Sequence, residues 1–153
     1  MAELTWHCER LTALSAPQLY QILALRARVF VLEQQCVYLD PDGLDLQAWH
    51  LRGLNEAGEL QAYARLLPPG LKGPEQTEPA IGRVLTAPEA RGQGQGQQLM
   101  SQAVAEGRRL WPGLALVLSA QAHLQRFYAG FGFVPISDVY DEDGIAHIDM
   151  RLP

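Results

Sequence analysis

Lysine is almost missing from this sequence. Lys72 is the only one, and the other eleven of its twelve basic residues are arginine. Charged residues make up 19% of the 153 positions, and acids outnumber bases 17 to 12, for a net charge of −5. A broad basic face for nucleic acid is thereby excluded, because phosphate contacts need clustered Lys and Arg. Cysteine is scarce too. Cys8 and Cys36 form neither a disulfide framework nor a CxxC pair, which points to a reducing compartment. Long hydrophobic runs are absent: the longest unbroken one, 114–118, has five residues and falls far short of a membrane span. Residues 1–10 carry an early glutamate and no apolar stretch, so no signal peptide is expected. Hydrophobic side chain is plentiful at 48%, enough for a sizeable core and incompatible with intrinsic disorder. The expectation is one cytoplasmic domain spanning 1–153, without membrane or nucleic-acid partners.

Apolar periodicity and turn residues divide the chain. Residues 4–11 read as a first strand. Ser15 with Gln18 three positions on has capping-box spacing, and Leu19, Ile22, Leu23, Val29 and Phe30 follow at helical intervals. Residues 36–45 read as irregular. Trp49–Leu54 and Leu60–Leu67 read as strands joined by a turn at 55–58. Residues 68–79, with four prolines and two glycines, read as a loop. Ala80–Thr86 reads as a strand ended by Pro88. A glycine-rich turn then opens a long amphipathic helix with the stripe Leu99, Met100, Ala103, Val104, Gly107 and Trp111. Residues 114–118 read as a buried strand, 122–131 as a helix, and 134–140 with 147–152 as a hairpin across an acidic turn at 141–144. The order is that of a mixed α/β (α+β) layer, with one parallel strand pair across a right-handed crossover.

The turn is Arg91-Gly92-Gln93-Gly94-Gln95-Gly96. Its glycines admit positive φ and close backbone approach. The helix N-terminus favours an anion, and Arg91 can grip a phosphate with two N–H groups. A dinucleotide fingerprint needs glycine where Gln97 stands, and a P-loop needs Gly-Lys-Ser/Thr; neither is present. Arg-x-x-Gly-x-Gly does fit, and it resembles the pyrophosphate loop of the GNAT superfamily of N-acetyltransferases. A second stretch resembles the same superfamily: Leu116-Val117-Leu118-Ser119-Ala120, then Phe127-Tyr128, then Phe131-Gly132-Phe133. The strings Arg28-Val29-Phe30-Val31 with Glu33-Gln34, Ala120-Gln121-Ala122-His123-Leu124-Gln125, and Glu142-Asp143-Gly144-Ile145 with His147 resemble the ElaA-like subfamily.

The resemblance implies a central mixed sheet of about seven strands and about four flanking helices, making a single acetyltransferase domain over 1–153. Two parallel strands would splay and bind acetyl-CoA between them. The backbone of Val84, Leu85 and Thr86 would pair with the pantetheine, with an N–H near Leu85 holding the thioester oxygen. Arg91, Gly92, Gln93, Gly94, Gln95, Gly96 and Gln97 would hold the pyrophosphate. Phe127, Tyr128 and Gln121 would line the arm, Gln121 standing where many members have Asn. Tyr128 resembles the general acid; it is also part of the apolar stripe Leu124, Phe127, Tyr128 and Phe131, which suits a core residue. The acceptor amine's base is left open, with Glu33 first, His147 second, and His50 and Asp45 as further options. No metal is expected, because the four histidines lack ligand spacing. Glu33, Asp40, Asp42, Asp45 and 141–143 either attract a cationic amine, small or peptidic, or are merely solvated turns. The reading that competes with an enzyme is an idle acetyl-CoA sensor. A monomer or homodimer is expected.

Overall fold

A computed structural model describes residues 3–153. Eight strands are present among them: β1 (Thr5–Arg10), β2 (Trp49–Leu54), β3 (Leu60–Leu67), β4 (Ala80–Thr86), β5 (Leu116–Gln121), β6 (Val134–Pro135), β7 (Tyr140–Glu142) and β8 (Ile145–Leu152). They form one sheet in the order β1-β2-β3-β4-β5-β8-β6, with β7 also pairing β8. Every pairing is antiparallel except β4 with β5. Three α-helices accompany the sheet: α1 (Ala16–Arg26), α2 (Gln95–Leu110) and α3 (Gln125–Ala129).

Local chemistry explains most of these elements. Ser15 accepts from the Gln18 N–H while the Gln18 side chain accepts from the Ser15 N–H, so α1 starts with a complete capping box. α1 passes directly into a π-helical segment, Ala27–Glu33. The β2–β3 turn closes through Gly58 N–H to Asn55 O at 3.0 Å, with Gly58 at φ 77°. Of the predicted stripe, Leu99, Met100, Ala103 and Gly107 are buried in α2 and Val104 is half-buried, while Trp111 lies half-buried just past the helix end at Leu110. Gly107 has no side chain because Leu116 packs there: a Cβ would come within 2.7 Å of the Leu116 side chain.

The core lies on both faces of the sheet. Ala62, Ala64 and Leu66 of β3 pack with Leu99, Met100 and Ala103 of α2 on one face, and with Tyr128 and Phe133. Tyr63 packs with Ile22, Leu25 and Val29 on the other. Each fully buried Leu or Met contributes about 1.5–3 kcal/mol. On β4 this alternation changes phase. Ile81 belongs to the α2 face, yet Leu85, also odd-numbered, belongs to the α1 face. The cause is a β-bulge: Tyr63 and Arg65 oppose Leu85 and Gly82, so Arg83 and Val84 together face Ala64 alone. Arg83 supplies the turn with φ 50°, a left-handed conformation unusual for a residue with a Cβ.

A buried ion network holds the chain beyond the π-helical segment. The Arg26 guanidinium is fully buried on α1 and reaches Asp40 at 2.9 Å and Asp45 at 2.7 Å. Arg65 reaches Asp45 at 3.0 Å and Asp42 at 2.9 Å, and Arg83 reaches Asp40 at 2.8 Å. Burial alone would raise Asp42, but the two-pronged bond from Arg65 prevails and holds it at about 2. The expectation that Asp40 and Asp45 are either solvated or free to attract a cation is corrected: both are buried and neutralised.

Three predicted elements differ most in extent. The strand expected at 114–118 runs Leu116–Gln121, because Gly113 at φ 81° and the Leu114 N–H bond to Trp111 O keep the chain turning. The helix expected at 122–131 is a 3-10 turn, Ala122–Leu124, followed by α3, whose end tightens through Phe131 N–H to Tyr128 O. The strand expected at 134–140 is split into β6 and β7. Pro135 has no N–H to donate, and Ser137 Oγ takes the Asp149 N–H at 2.9 Å in place of a ladder bond.

Candidate active site

β4 and β5 pair at only two positions, Ala80 with Val117 and Ile81 with Leu118. Pairing stops just before the bulge, and the strands diverge beyond it. Two cavities open around this gap. The smaller, of about 170 Å³, is lined by Val84, Leu85, Thr86, Gly96, Leu99, Leu124, Phe127 and Tyr128. The larger, of about 550 Å³, extends over β5 and β8 toward the π-helical segment. Val84, Leu124 and Tyr128 line both.

Tyr128 is therefore a shared wall. It is 6% exposed, and its ring meets Phe127 edge-on at 5.1 Å. Its hydroxyl makes no hydrogen bond within the described residues, although a buried tyrosine hydroxyl usually finds a partner. Burial pushes the phenol up to about 12, so it stays protonated at neutral pH. Phe127 extends the same wall and stacks edge-on with Phe131 at 5.3 Å.

The glycine turn leads into α2 at the foot of the smaller cavity. Gly92 and Gly94 have φ of 80° and 75°, which explains glycine at both. Gly94 is the N-cap and offers no side chain to the helix, so the first-turn N–H groups at Gln95, Gly96 and Gln97 lack intrahelical partners. Gly96 lies 3.9 Å from the Phe127 ring, measured from where its Cβ would be. Gln93 and Gln97 are exposed. Gln95 is buried with its amide oxygen unbonded, a cost of about 1–3 kcal/mol that a bound donor relieves.

Arg91 does not stand free beside this turn. Its Nη2 lies 2.6 Å from Glu33 Oε1, with both side chains partly exposed. Arg28 pairs with Glu89 at 2.8 Å in parallel. Two ion pairs thus link the π-helical segment to the stretch before the glycines. Glu33 lines neither cavity.

The larger cavity has a polar floor. Ser119 pairs with Asp149 and Gln121 with His147 across β5 and β8, and all four line the cavity. Gln121 is absent from the lining of the smaller one. The His147 Nδ1 lies 2.8 Å from Ile145 O and, facing a carbonyl, carries the proton. Nε2 is left 3.5 Å from Glu142 Oε2. The ring stacks on Tyr140 at 6.1 Å. His50 and Asp45 lie elsewhere: the buried His50 accepts from Tyr63 at 2.7 Å and donates to Asp45 O at 2.9 Å. Burial lowers its pKa and keeps it neutral.

Sequence reasoning missed Tyr140, Ser119 and Asp149 as a connected set. Tyr140 donates to Asp149 Oδ1 at 2.6 Å and accepts from Ser119 at 2.5 Å. Burial, then the bond to Asp149, pushes the Tyr140 phenol up to about 12. The available signal was the strand alternation that puts 147, 149 and 151 on one face.

Known proteins share this fold. A family model for the acetyltransferase (GNAT) domain matches residues 54–153. A UPF0039 protein of Synechocystis sp. is 47% identical over 153 residues, covering 99% of this chain and 97% of that protein. The protein ElaA of Escherichia coli is 47% identical over 148 residues, 95% of this chain and 94% of that one. Its crystal structure superposes with a TM-score of 0.89, covering 98% and 99% of the two chains. An acyl-CoA N-acyltransferase from Pseudomonas aeruginosa superposes with a TM-score of 0.91 at 45% identity and the same coverage. With the splayed β4 and β5, the glycine turn and the aromatic-tyrosine helix in place, this chain belongs to the GNAT family of acetyltransferases, in its ElaA-like group.

Proposed function

We propose that this protein, acting as one domain over 1–153 in the cytoplasm, transfers the acetyl group of acetyl-CoA directly to a primary amine within a ternary complex. The observation that carries this reading is Tyr128, which lines both cavities and whose hydroxyl makes no hydrogen bond among the described residues. The smaller cavity, leading to the glycine turn, suits the cofactor arm. The larger one, with His147 in its floor, suits the acceptor.

The residues present fit a coenzyme A thioester. Beyond Ile81, the side of β4 facing β5 has no strand partner, so backbone groups of Val84, Leu85 and Thr86 can bond an extended amide-bearing arm as a strand would. Unpaired N–H groups at 95–97, with Gly92 and Gly94 leaving room, suit a pyrophosphate. Arg91 turns to it by exchanging Glu33 for phosphate. When bound, the thioester supplies an activated acyl group that moves to nitrogen as the carbon–sulfur bond gives way.

Proton costs rank what the side chains must do. Presenting an alkylamine of pKa ~10.4 in neutral form at pH 7 costs about 4.6 kcal/mol, whereas a thiol of pKa ~8.5 costs only about 2 kcal/mol to leave as the anion. The acceptor side therefore needs more help. His147 fits the role of base, because Nδ1 is fixed on a carbonyl, leaving Nε2 to receive the amine's proton, with Glu142 nearby to steady the imidazolium. Glu33, the other candidate, is better read as the carboxylate that occupies Arg91 in the free protein. Tyr128 donates to the departing sulfur. Cys8 takes no part, since burial pushes its thiol up to about 12.

The test is coenzyme A release from acetyl-CoA with panels of amino acids, polyamines, aminoglycosides and short peptides, beside a no-amine control. Amine-dependent release is expected. Tight acetyl-CoA binding without release for any amine would instead indicate a sensor.

A further inference from the structure

The floor of the larger cavity contains a carboxylate with no cation. β8 presents His147, Asp149 and Arg151 on one face, opposite Gln121, Ser119 and Val117. Arg151 is already taken by Glu78, through two bonds of 2.8 Å. Asp149 forms no ion pair with any described residue. Its Oδ1 accepts from the Tyr140 hydroxyl. A carboxylate cannot donate, so Tyr140 commits its single proton there and Ser119 must donate to Tyr140. The backbone is fixed as well: the Asp149 N–H donates to Ser137 Oγ at 2.9 Å, and Asp149 O accepts from the Ile136 N–H at 2.8 Å. Oδ2 has no hydrogen bond among the described residues, and Asp149 lines the cavity that the buried Tyr128, its own hydroxyl unbonded, also lines.

We propose that Asp149 seats the ammonium group of the acceptor, and that the acceptor is a cationic aliphatic amine carrying no carboxylate beside its nitrogen. The proposal rests on the acyl-transfer reading for the chemistry after binding, but not for the binding itself.

The charges around the cavity support both halves. Glu142 and Asp143 line it with Asp149, and none of the three is held by arginine or lysine. Arg65 and Arg83 also line it, but both are held by Asp42, Asp45 and Asp40. Neither has a free fork for a substrate carboxylate. Lys72 also lines the cavity and forms no ion pair with any described residue, but it belongs to the loop between Leu67 and Ala80, and Ala80 pairs with Val117, at the other end of β5 from His147's partner Gln121. An α-amino acid seated on Asp149 would bring its carboxylate beside the protein's own, with no guanidinium to receive it. A carboxylate-free amine avoids that repulsion. Its hydrocarbon arm finds Phe30, Leu39 and Ile136 in the wall; Leu39 is 79% exposed and Ile136 54%.

The roles divide along β8. Asp149 holds the ammonium and keeps its own charge. His147, two residues back on the same face, takes one proton onto Nε2. The freed nitrogen lone pair then forms the new bond to the acyl carbon as the bond to sulfur breaks; the sulfur leaves as the thiol with the Tyr128 proton, and the second proton lost by the nitrogen restores the Tyr128 hydroxyl. Tyr140 is a positioning residue, which orients the Asp149 carboxylate without touching the amine.

The test uses matched probes differing only in the α-carboxylate: phenethylamine against phenylalanine, and pentylamine against norleucine. Binding is read by titration calorimetry in the presence of coenzyme A, and turnover by coenzyme A release, for wild type, Asp149→Asn and Tyr140→Phe. The expected result is that each amine binds wild type at least about tenfold tighter than its amino acid. Asp149→Asn is expected to weaken the amine by about tenfold or more, seen as a rise in KM with acetyl-CoA affinity unchanged, and Tyr140→Phe by a smaller factor. Equal binding of amine and amino acid, an Asp149→Asn variant that binds the amine like wild type, or no amine binding at all would overturn the proposal. Amine binding that is lost in Asp149→Asn, without coenzyme A release from wild type, would uphold the seat and refute the transferase reading.

Discussion

Replacing Tyr128 with Phe removes one oxygen from the wall between the two cavities. The hydroxyl has no hydrogen-bond partner among the described residues and the ring is buried, so the variant should fold with stability within about 0.5 kcal/mol of wild type, as for a change that breaks no bond. The cost falls on the reaction. The phenol sits at about 12, and passing its proton fully to a thiolate of pKa ~8.5 costs about 4.8 kcal/mol. Tyr128 is thus better suited to hydrogen-bond the developing thiolate than to surrender its proton early. A hydrogen bond to a charged group contributes about 1.5–3 kcal/mol, so Tyr128→Phe should lower kcat by roughly 10- to 150-fold. The acetyl-CoA Kd, measured by calorimetry, should stay within about twofold. The same reasoning predicts no alkaline decline in wild-type rate attributable to Tyr128 below about pH 11, since it remains protonated. A kcat equal to wild type, or an acetyl-CoA Kd weakened as much as kcat falls, would refute the reasoning and leave Tyr128 a packing residue.

Glu33→Gln should tighten acetyl-CoA binding by up to about fivefold, because an exposed ion pair worth about 0–1 kcal/mol no longer competes for Arg91; an altered pH–rate profile would instead make Glu33 the base. Arg83→Ala keeps the left-handed strain and loses the bonds to Asp40, so urea unfolding should show a loss of about 1–3 kcal/mol. Arg83→Gly should lose less, since glycine adopts φ 50° without strain; a glycine variant less stable than the alanine one would contradict the account of the bulge. Stability should fall on the acid side in two stages. His50 is lowered from 6.5, so the unfolded chain takes up a proton first as pH drops below about 6.5, and stability present above that pH is lost. Asp42 and Asp45 are lowered from 3.8, so their contribution is present above about pH 4 and disappears toward pH 2. Thermal melts from pH 8 to 3 check this, and a melting temperature independent of pH across that range would contradict it.

What the sequence revealed was what short-range chemistry determines. Strands Trp49–Leu54, Leu60–Leu67 and Ala80–Thr86 were legible to the residue, because turn residues and prolines bracket them. Ser15 with Gln18 announced α1, and the glycine turn announced α2. The features that shape the site are long-range. Arg83, and not the neighbouring Gly82, takes the left-handed conformation that bulges β4, and the ions that secure it, Asp40 and Asp42, lie over forty residues away in sequence. Asp40 and Asp45 looked like surface acids because their partners, Arg26, Arg65 and Arg83, come from three other elements. Asp149 was passed over for a similar reason: alternation gives its face, but not that Glu78 had claimed the neighbouring Arg151. Pro135 could have signalled that 134–140 breaks.

The claim that the amine attacks directly, beside Tyr128 and His147, is tested by product accounting with the intact protein. The protein is mixed with acetyl-CoA, first alone and then with an accepted amine, and coenzyme A, N-acetylamine and the mass of the protein are followed together by mass spectrometry. Direct transfer predicts no acetylated protein before amine is added, then one coenzyme A for every N-acetylamine formed, with both products slowed equally by Tyr128→Phe. A protein that takes up an acetyl group from acetyl-CoA alone and hands it to the amine afterwards would contradict the account.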